Sequence, residues 1–482
     1  MSSLVSRREF LRCLAAGAGG LIVLPLAGSG CRGGAGLRDA PAWAEVPGIL
    51  ERIRPPRFPD RDVLVTDFGA VPGGTEPATD AFRRAVAACH DAGGGRVVVP
   101  PGDFLTGPVH LRSKVNLHLA EGATLRFSTN PEDYLPPVYT RWEGVELMNY
   151  SPLIYARGQE NVAVTGAGTL DGQADEQHWW PWKGQARYGW TEGSPEQGPA
   201  RDRLFRMAED GVPVAERVFG TGDYLRPSFI EFYDCRNVLI EGVTIVRSPM
   251  WLVHPTLCTN VTVRGITARS HGPNNDGCDP ESCTDVLIED CFFDTGDDCI
   301  ALKSGRNADG RRVGRPIENV VIRRCTMRDG HGGIVIGSEM SGGARRIFAE
   351  ACHLDSPNLD RVLRIKTNSV RGGFVEGVYL RDITAGQVAD AVVRINFLYE
   401  EGDAGPHDPV VRNIDVRRLT SSQSTYALYL IGYPDAPIRD VYLADCRFDG
   451  VARDSVVEHV EGLVLDEVFI NGERVERLTS TT

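Results

Sequence analysis

The sequence predicts an all-β solenoid, a right-handed parallel β-helix whose N-terminal end is covered by one short helix. Three observations predict it. From residue 160 onward a pattern of apolar, any, apolar, two variable, apolar, any, apolar recurs. Its copies stand roughly 22 to 36 residues apart, a period that belongs to stacked repeats. The chain also carries 54 glycines in 482 residues with moderate hydrophobicity, too long for one simple globular core unless the fold is elongated or repetitive.

The copies read Val238-Ile240-Val243-Ile245, Val261-Val263-Ile266-Ala268 and Val286-Ile288-Cys291-Phe293. They continue as Val320-Ile322-Cys325-Met327, Ile347-Ala349-Cys352-Leu354 and Val378-Leu380-Ile383-Ala385. A weaker copy, Ile414-Val416-Leu419, precedes Val441-Leu443-Cys446-Phe448 and Leu463-Leu465-Val468-Ile470. Two period-2 strands joined by a bend lay the apolar slots of each coil on those of the last. A leucine-rich horseshoe would need leucine at fixed slots, which this chain lacks.

Taken from its start, the chain first shows Ser6-Arg7-Arg8-Glu9-Phe10-Leu11-Arg12 ahead of a weakly apolar run, so residues 1–31 resemble a twin-arginine export signal. The expected location is periplasmic or extracellular. Cys31, after LAGSG, is a candidate lipid anchor, although Gly28 stands where a larger apolar residue belongs. Residues 32–60, rich in Pro, Arg and Gly, read as a linker, and 61–475 as a single domain. Residues 63–70 form a strand and turn. Asp80 caps an amphipathic helix bearing Ala81, Phe82, Ala85, Val86 and Cys89, which ends at Gly93-Gly94-Gly95. A helix there shields strand edges that an open stack would expose. Two insertions break the rhythm. Residues 173–226 form a long loop holding Trp179, Trp180, Trp182 and Trp190, which either stack on sugars or pack the loop down. Residues 305–316 form a short basic loop.

Twelve cysteines in an exported chain suggest disulfides, but Cys291, Cys325, Cys352 and Cys446 share one apolar slot and Cys235, Cys258 and Cys283 another. Small core residues are the better reading, with room for a few bridges and no zinc spacing. The net charge of −13 without a basic run speaks against nucleic acid. It also means that an acidic substrate needs a local basic site.

Residues 271–304 gather five carboxylates in two knots: Asp276 and Asp279 in NNDGCD, and Asp294, Asp297 and Asp298 in DTGDD. Singly these read as Asx-turns at strand corners. The solenoid changes their meaning, because one coil advances the stack by about 4.8 Å. Asp276 and Asp297 fall on adjacent coils, His331 one coil further, and Arg364 with Lys366 on the next. Arg364 and Lys366 point together while Ile365 points inward. Paired carboxylates serve as general acid and base for glycosidic cleavage, and neighbouring acids raise the pKa of the acid. Arg beside Lys suits a sugar carboxylate. His331 tunes the acid or simply holds a turn.

NND, GDD, GHG and RIK, in that order on a β-helix, resemble the polygalacturonase (pectinase) family of glycoside hydrolases, family 28, with its pectin-lyase-like solenoid. The likeness runs from about residue 62 to near the C-terminus; Asn275 stands where the family usually has Thr. The resemblance implies that Asp297 is the general acid, that Asp276 and Asp298 activate water, and that His331 supports the acid. It implies galacturonate binding by Arg364 and Lys366, with Tyr399 and Asn274 lining the cleft. It further implies inversion, no metal and no cofactor, and an inverting site is expected to hold its carboxyls about 6.5–9.5 Å apart. GSEMSGG (337–343) is similar to members that work from chain ends, and the 173–226 insertion is placed to close one end of the cleft. The expectation is therefore exo-hydrolysis of α-1,4-galacturonosyl linkages in pectin by a monomer. Rhamnogalacturonan or xylogalacturonan hydrolysis, a calcium-dependent pectate lyase and a non-catalytic pectin-binding β-helix are the alternatives.

Overall fold

A computed structural model describes residues 39–478; residues 1–31, which resemble an export signal, and with them Cys31, lie outside these. The parallel strands stack in three ladders, and most coils contribute one strand to each. The repeating pattern supplies two of the three. Its first apolar pair stacks in register on one face, Val261 over Val286, Val320, Ile347 and Val378. Its second pair stacks on the next, Ala268 over Phe293, Met327, Leu354 and Ala385. The two variable positions between the pairs make the corner. One of them takes a left-handed backbone on coil after coil, as at Gly265 (φ +61°), Asp290 (φ +57°) and Asp382 (φ +55°). That conformation favours Gly, Asp and Asn over bulkier residues.

The third face carries Ile300–Leu302, Ile334–Gly337, Arg361–Lys366 and Ala391–Asn396. Here Ile300, Ile334, Leu363 and Val393 stack inward. The coil of Asp276 joins this face only through bridges, Cys278 to Val253 and Ile300, and Glu281 to Thr256 and Lys303. The carboxylate-rich turn thus interrupts the ladder.

The predicted N-terminal helix is Thr79–Asp91, and it buries Ala81, Phe82, Ala85, Val86 and Cys89 against the first coil. Its cap differs from expectation: Ala78 occupies the N-cap, and Asp80 sits in the exposed first turn, paired with Arg83 at 3.1 Å. All ten cysteines among the described residues are buried and unbonded. The Cys235 N–H donates to the Cys258 sulfur at 3.4 Å, as expected of stacked small core residues. Among the described residues no helix is long and apolar enough to cross a membrane.

Three segments carry more structure than their composition suggested. Residues 32–60 are not a plain linker, because Pro41–Glu45 and Val46–Arg52 are helical. Trp43, Val46, Ile49 and Ile53 cover Leu287, Val321 and Phe348 on the outside of the first face. Those three are outward-pointing and apolar, and covering them removes that surface from water. The 173–226 insertion contains the helix Gly198–Glu209, and the 305–316 loop contains Asn307–Val313. The insertion's tryptophans pack it down. Trp179 is buried and meets Trp182 and Tyr134 edge-on, Trp182 meets Tyr224, and the Trp180 indole donates to the Ser248 carbonyl.

Because the 41–53 segment is part of the core, Trp43→Ala should lower the unfolding free energy by about 3–5 kcal/mol, read by chemical denaturation. A change near zero would return the segment to the status of a tether.

Candidate active site

Stacking fixes the site. The Gly277 N–H donates to the Asp298 carbonyl at 2.9 Å and the His331 N–H to the Asp297 carbonyl at 3.1 Å. The turns bearing Asp276, Asp297–Asp298 and His331 therefore lie on consecutive coils. Val335 pairs with Arg364 and Gly337 with Lys366 on the coil beyond. Asn275, where the motif departs from its usual Thr, is fully buried. Its amide donates to the Ser248 and Met250 carbonyls and accepts from the Gly272 N–H, locking the turn that presents Asp276.

The structure brings these residues together in one column. Asp298 is held by Lys366 at 2.7 Å and Arg364 at 3.2 Å. His331 Nδ1 donates to Asp297 Oδ1 at 3.0 Å, and the Asp298 N–H donates to the same oxygen at 3.0 Å. Arg364 and Lys366 lie 5.6 and 5.4 Å from the centre of the Tyr399 ring. Asn274 accepts from Lys183 at 2.9 Å and Arg226 at 2.8 Å. Asp276, Asp297 and Asp298 each offer an oxygen within 4.8 Å of the others. These are separations between single oxygens, one per residue, and are shorter than those between the carboxyl groups themselves, which inversion is expected to hold about 6.5–9.5 Å apart.

Several partners escaped the sequence reading. Lys303 is buried over the Trp251 ring at 4.5 Å, with Nζ 3.1 Å from Glu339, 3.4 Å from Asp279 and 3.7 Å from Asp276. Its signal was present: Ala301 and Lys303 flank inward Leu302 as Arg364 and Lys366 flank Ile365. Lys183 and Arg226 come from the 173–226 insertion, which follows no repeat and so gives no register from which to place them.

The charges sort the carboxyls. Burial and the neighbouring Asp279, Asp297 and Asp298 push Asp276 well above the usual carboxylate range, and Lys303 offsets this only in part. Burial also lifts Asp279 to about 8 against the pull of Lys303. For Asp298 burial is outweighed by Lys366 and Arg364, and the group stays ionised. For Asp297 burial is outweighed by the hydrogen bond and charge of His331, then by Lys366 and Arg364, and its pKa falls. The hydrogen bond to Asp297 raises His331 in return. Asp297 is thus held low rather than lifted by its acidic neighbours, and the raised carboxyls are Asp276 and Asp279.

These groups surround a pocket of about 260 Å³. Asp276 and Asp297 line it with Lys303 and Tyr399, and the insertion supplies a wall that includes Lys183, Arg187 and Tyr188. Oxygens of Asp276, Asp297 and Asp298 lie close enough together to share a cation, as do atoms of His271, Asp294 and Asp329. In the first group Lys303, Arg364, Lys366 and His331 already stand against those oxygens.

Residues 221–464 match the model for glycosyl hydrolases family 28. The chain belongs to that family. A probable polygalacturonase of Vitis vinifera is 31% identical, over 79% of this chain and 73% of its own length. An exo-poly-α-D-galacturonosidase of Dickeya chrysanthemi is 26% identical over 82% and 68%. Among solved structures, a hyperthermoactive exopolygalacturonase from Thermotoga maritima superposes with a TM-score of 0.88 at 48% identity, covering 91% of this chain and 98% of that one. As a family 28 β-helix, this chain places the GDD and RIK carboxylate and cations in direct contact.

Removing one partner from a buried ion cluster leaves the others uncompensated. Lys303→Met should cost about 3–5 kcal/mol in urea unfolding at neutral pH. Glu339, held below its usual pKa chiefly by Lys303 against the upward push of burial, would then take up a proton more easily. The penalty should shrink as pH falls through the ordinary carboxylate range, and a pH-independent penalty would contradict this account.

Proposed function

We propose that the protein hydrolyses α-1,4-galacturonosyl linkages of polygalacturonate from chain ends, with inversion. The observation that carries the reading is one walled pocket lined by Asp276 and Asp297 together with Arg364 and Lys366, two cations suited to a sugar carboxylate. The exo-acting names of the Dickeya and Thermotoga relatives support the same direction of attack. The insertion wall supports it too, since an open groove would admit the middle of a polymer.

Asp297 is the general acid. Its side chain is 18% exposed, against 4% for Asp276 and none for Asp298, so it alone among the three reaches a glycosidic oxygen. Asp276 and Asp298 hold the attacking water. Carboxylates so deeply set admit water but not a sugar carbon, and this favours direct displacement by water over a covalent intermediate. Binding shifts Asp297 in the required sense. A galacturonate carboxylate against Arg364 and Lys366 neutralises charges that hold Asp297 ionised and adds a negative one, and both effects raise its pKa. Tyr399 and Asn274 position the sugars, and His331 orients Asp297. The twin-arginine pattern supports export, with Cys31 as a possible anchoring point for a lipid.

A time course on polygalacturonate tests the reading. Monomer or dimer alone should accumulate from the outset, with the β-anomer first by NMR. A ladder of sizes would overturn exo action, and α-anomer first would overturn inversion. An ultraviolet-absorbing unsaturated product, or loss of rate with a chelator, would replace the hydrolase by a lyase. Asp297→Asn should lower kcat by about 10²–10⁴-fold while oligogalacturonate still binds.

A further inference from the structure

Most buried cations in this protein stand against a carboxylate. Arg141 lies 3.2 Å from Glu281, Arg217 2.7 Å from Asp309, and Lys366 2.7 Å from Asp298. Two cations beside the pocket differ. Among the described residues, neither Arg226 nor Lys183 has a carboxylate within 4.0 Å. Arg226 is fully buried, and its guanidinium is satisfied by neutral acceptors only: Gln197 at 3.0 Å, the Pro249 and Pro273 carbonyls at 2.8 and 2.6 Å, and Asn274 at 2.8 Å. Lys183 lines the pocket and has one polar partner, the same Asn274 oxygen at 2.9 Å. Glu143 and Asp297 act on both cations only from beyond 4.0 Å, and burial still outweighs them; taking charge out of water without a paired counter-ion is costly, and an anionic ligand lessens that cost.

The location says which anion. Asn274 lies on the coil before Asp297, whereas Arg364 and Lys366 lie two coils after it. The two cationic places therefore straddle the carboxylates along the solenoid axis, one on each side of a bond cut between them. Arg364 and Lys366 are already engaged with Asp298, while Lys183 is not engaged with any acid. The insertion that carries Lys183 also walls the pocket on that side. A sugar lying there is the last of its chain.

We infer that Lys183, backed by Asn274 and Arg226, forms a second carboxylate site that reads the terminal galacturonate and accepts its free acid over its methyl ester. The inference rests on the hydrolase reading above and adds a chemical selectivity to it. Lys183 is the contact. Arg226 is a positioning residue: it fixes Asn274 and the carbonyls of Pro249 and Pro273, and its charge adds to the field at the pocket. A methyl ester removes the negative charge and leaves the lysine without a counter-ion, which should lower kcat/KM about tenfold or more.

The test compares digalacturonate with its two monomethyl esters, one on each ring, by initial rates of galacturonate release. The wild type should disfavour both esters about tenfold or more. Lys183→Met should lose discrimination against one ester only and keep it against the other, which Arg364 and Lys366 still read. Lys183→Arg should restore discrimination against the first. If Lys183→Met keeps full discrimination against both esters, or loses it for both alike, the site assignment falls, since a purely structural lysine would act on both rings equally. A wild type inert on all three compounds overturns the hydrolase reading itself, and this inference with it.

Discussion

A side chain pointing into the solenoid fixes the one beside it pointing out. Ile300, Ile334 and Leu363 must stack in the interior, because that is where each coil hides apolar surface from water. Once they stack, Ala301, Val335 and Arg364 are aligned on the outside, and Lys303, Gly337 and Lys366 two positions along. Register errors of one residue would turn every outward charge into the core, so the apolar ladder protects the site as strongly as it protects the fold.

What the ladder cannot do is choose protonation states; that is settled by charge balance. Six ionisable groups, Asp276, Asp279, Asp297, Asp298, Lys303 and Lys366, share one largely dehydrated space. Where a cation stands within hydrogen-bonding distance, as Lys366 does for Asp298, the acid is ionised. Where the nearest cation is at 3.7 Å and shared, as Lys303 is for Asp276, burial and the other acids win. Two residues of one type, a coil apart, thus acquire opposite states from their surroundings.

The sequence was informative wherever a residue belonged to the repeat. The strand pairs, the column of Asp276, Asp297, Asp298, His331, Arg364 and Lys366, and the unbonded cysteines all follow from slot and period. Legibility failed where contact is set by partners far away in the chain. Leu287, Val321 and Phe348 fill the neutral middle slot of the first strand, and only their covering by Trp43 and its neighbours shows that this slot is apolar for a reason. The placement of Lys183 and Arg226 beside Asn274 depends on how a non-repeating insertion folds back, which no periodicity encodes. The protonation of Asp297 is not legible for a different reason: the repeat places His331, Arg364 and Lys366 in its column, but whether their charges outweigh the acids and burial depends on contact distances that no period encodes.

The segment that covers the first face carries an implication for the order in which this molecule is made. Asp39 bonds to Arg381, 342 residues later, and to Arg418 beyond it, while Trp43 rests on Phe348 and under the Arg381 guanidinium. During synthesis from the N-terminus, residues 39–53 leave the ribosome long before Phe348, Arg381 and Arg418, the partners they dock on, have been produced. This early segment is therefore among the last to settle, and its docking marks a solenoid that is already wound.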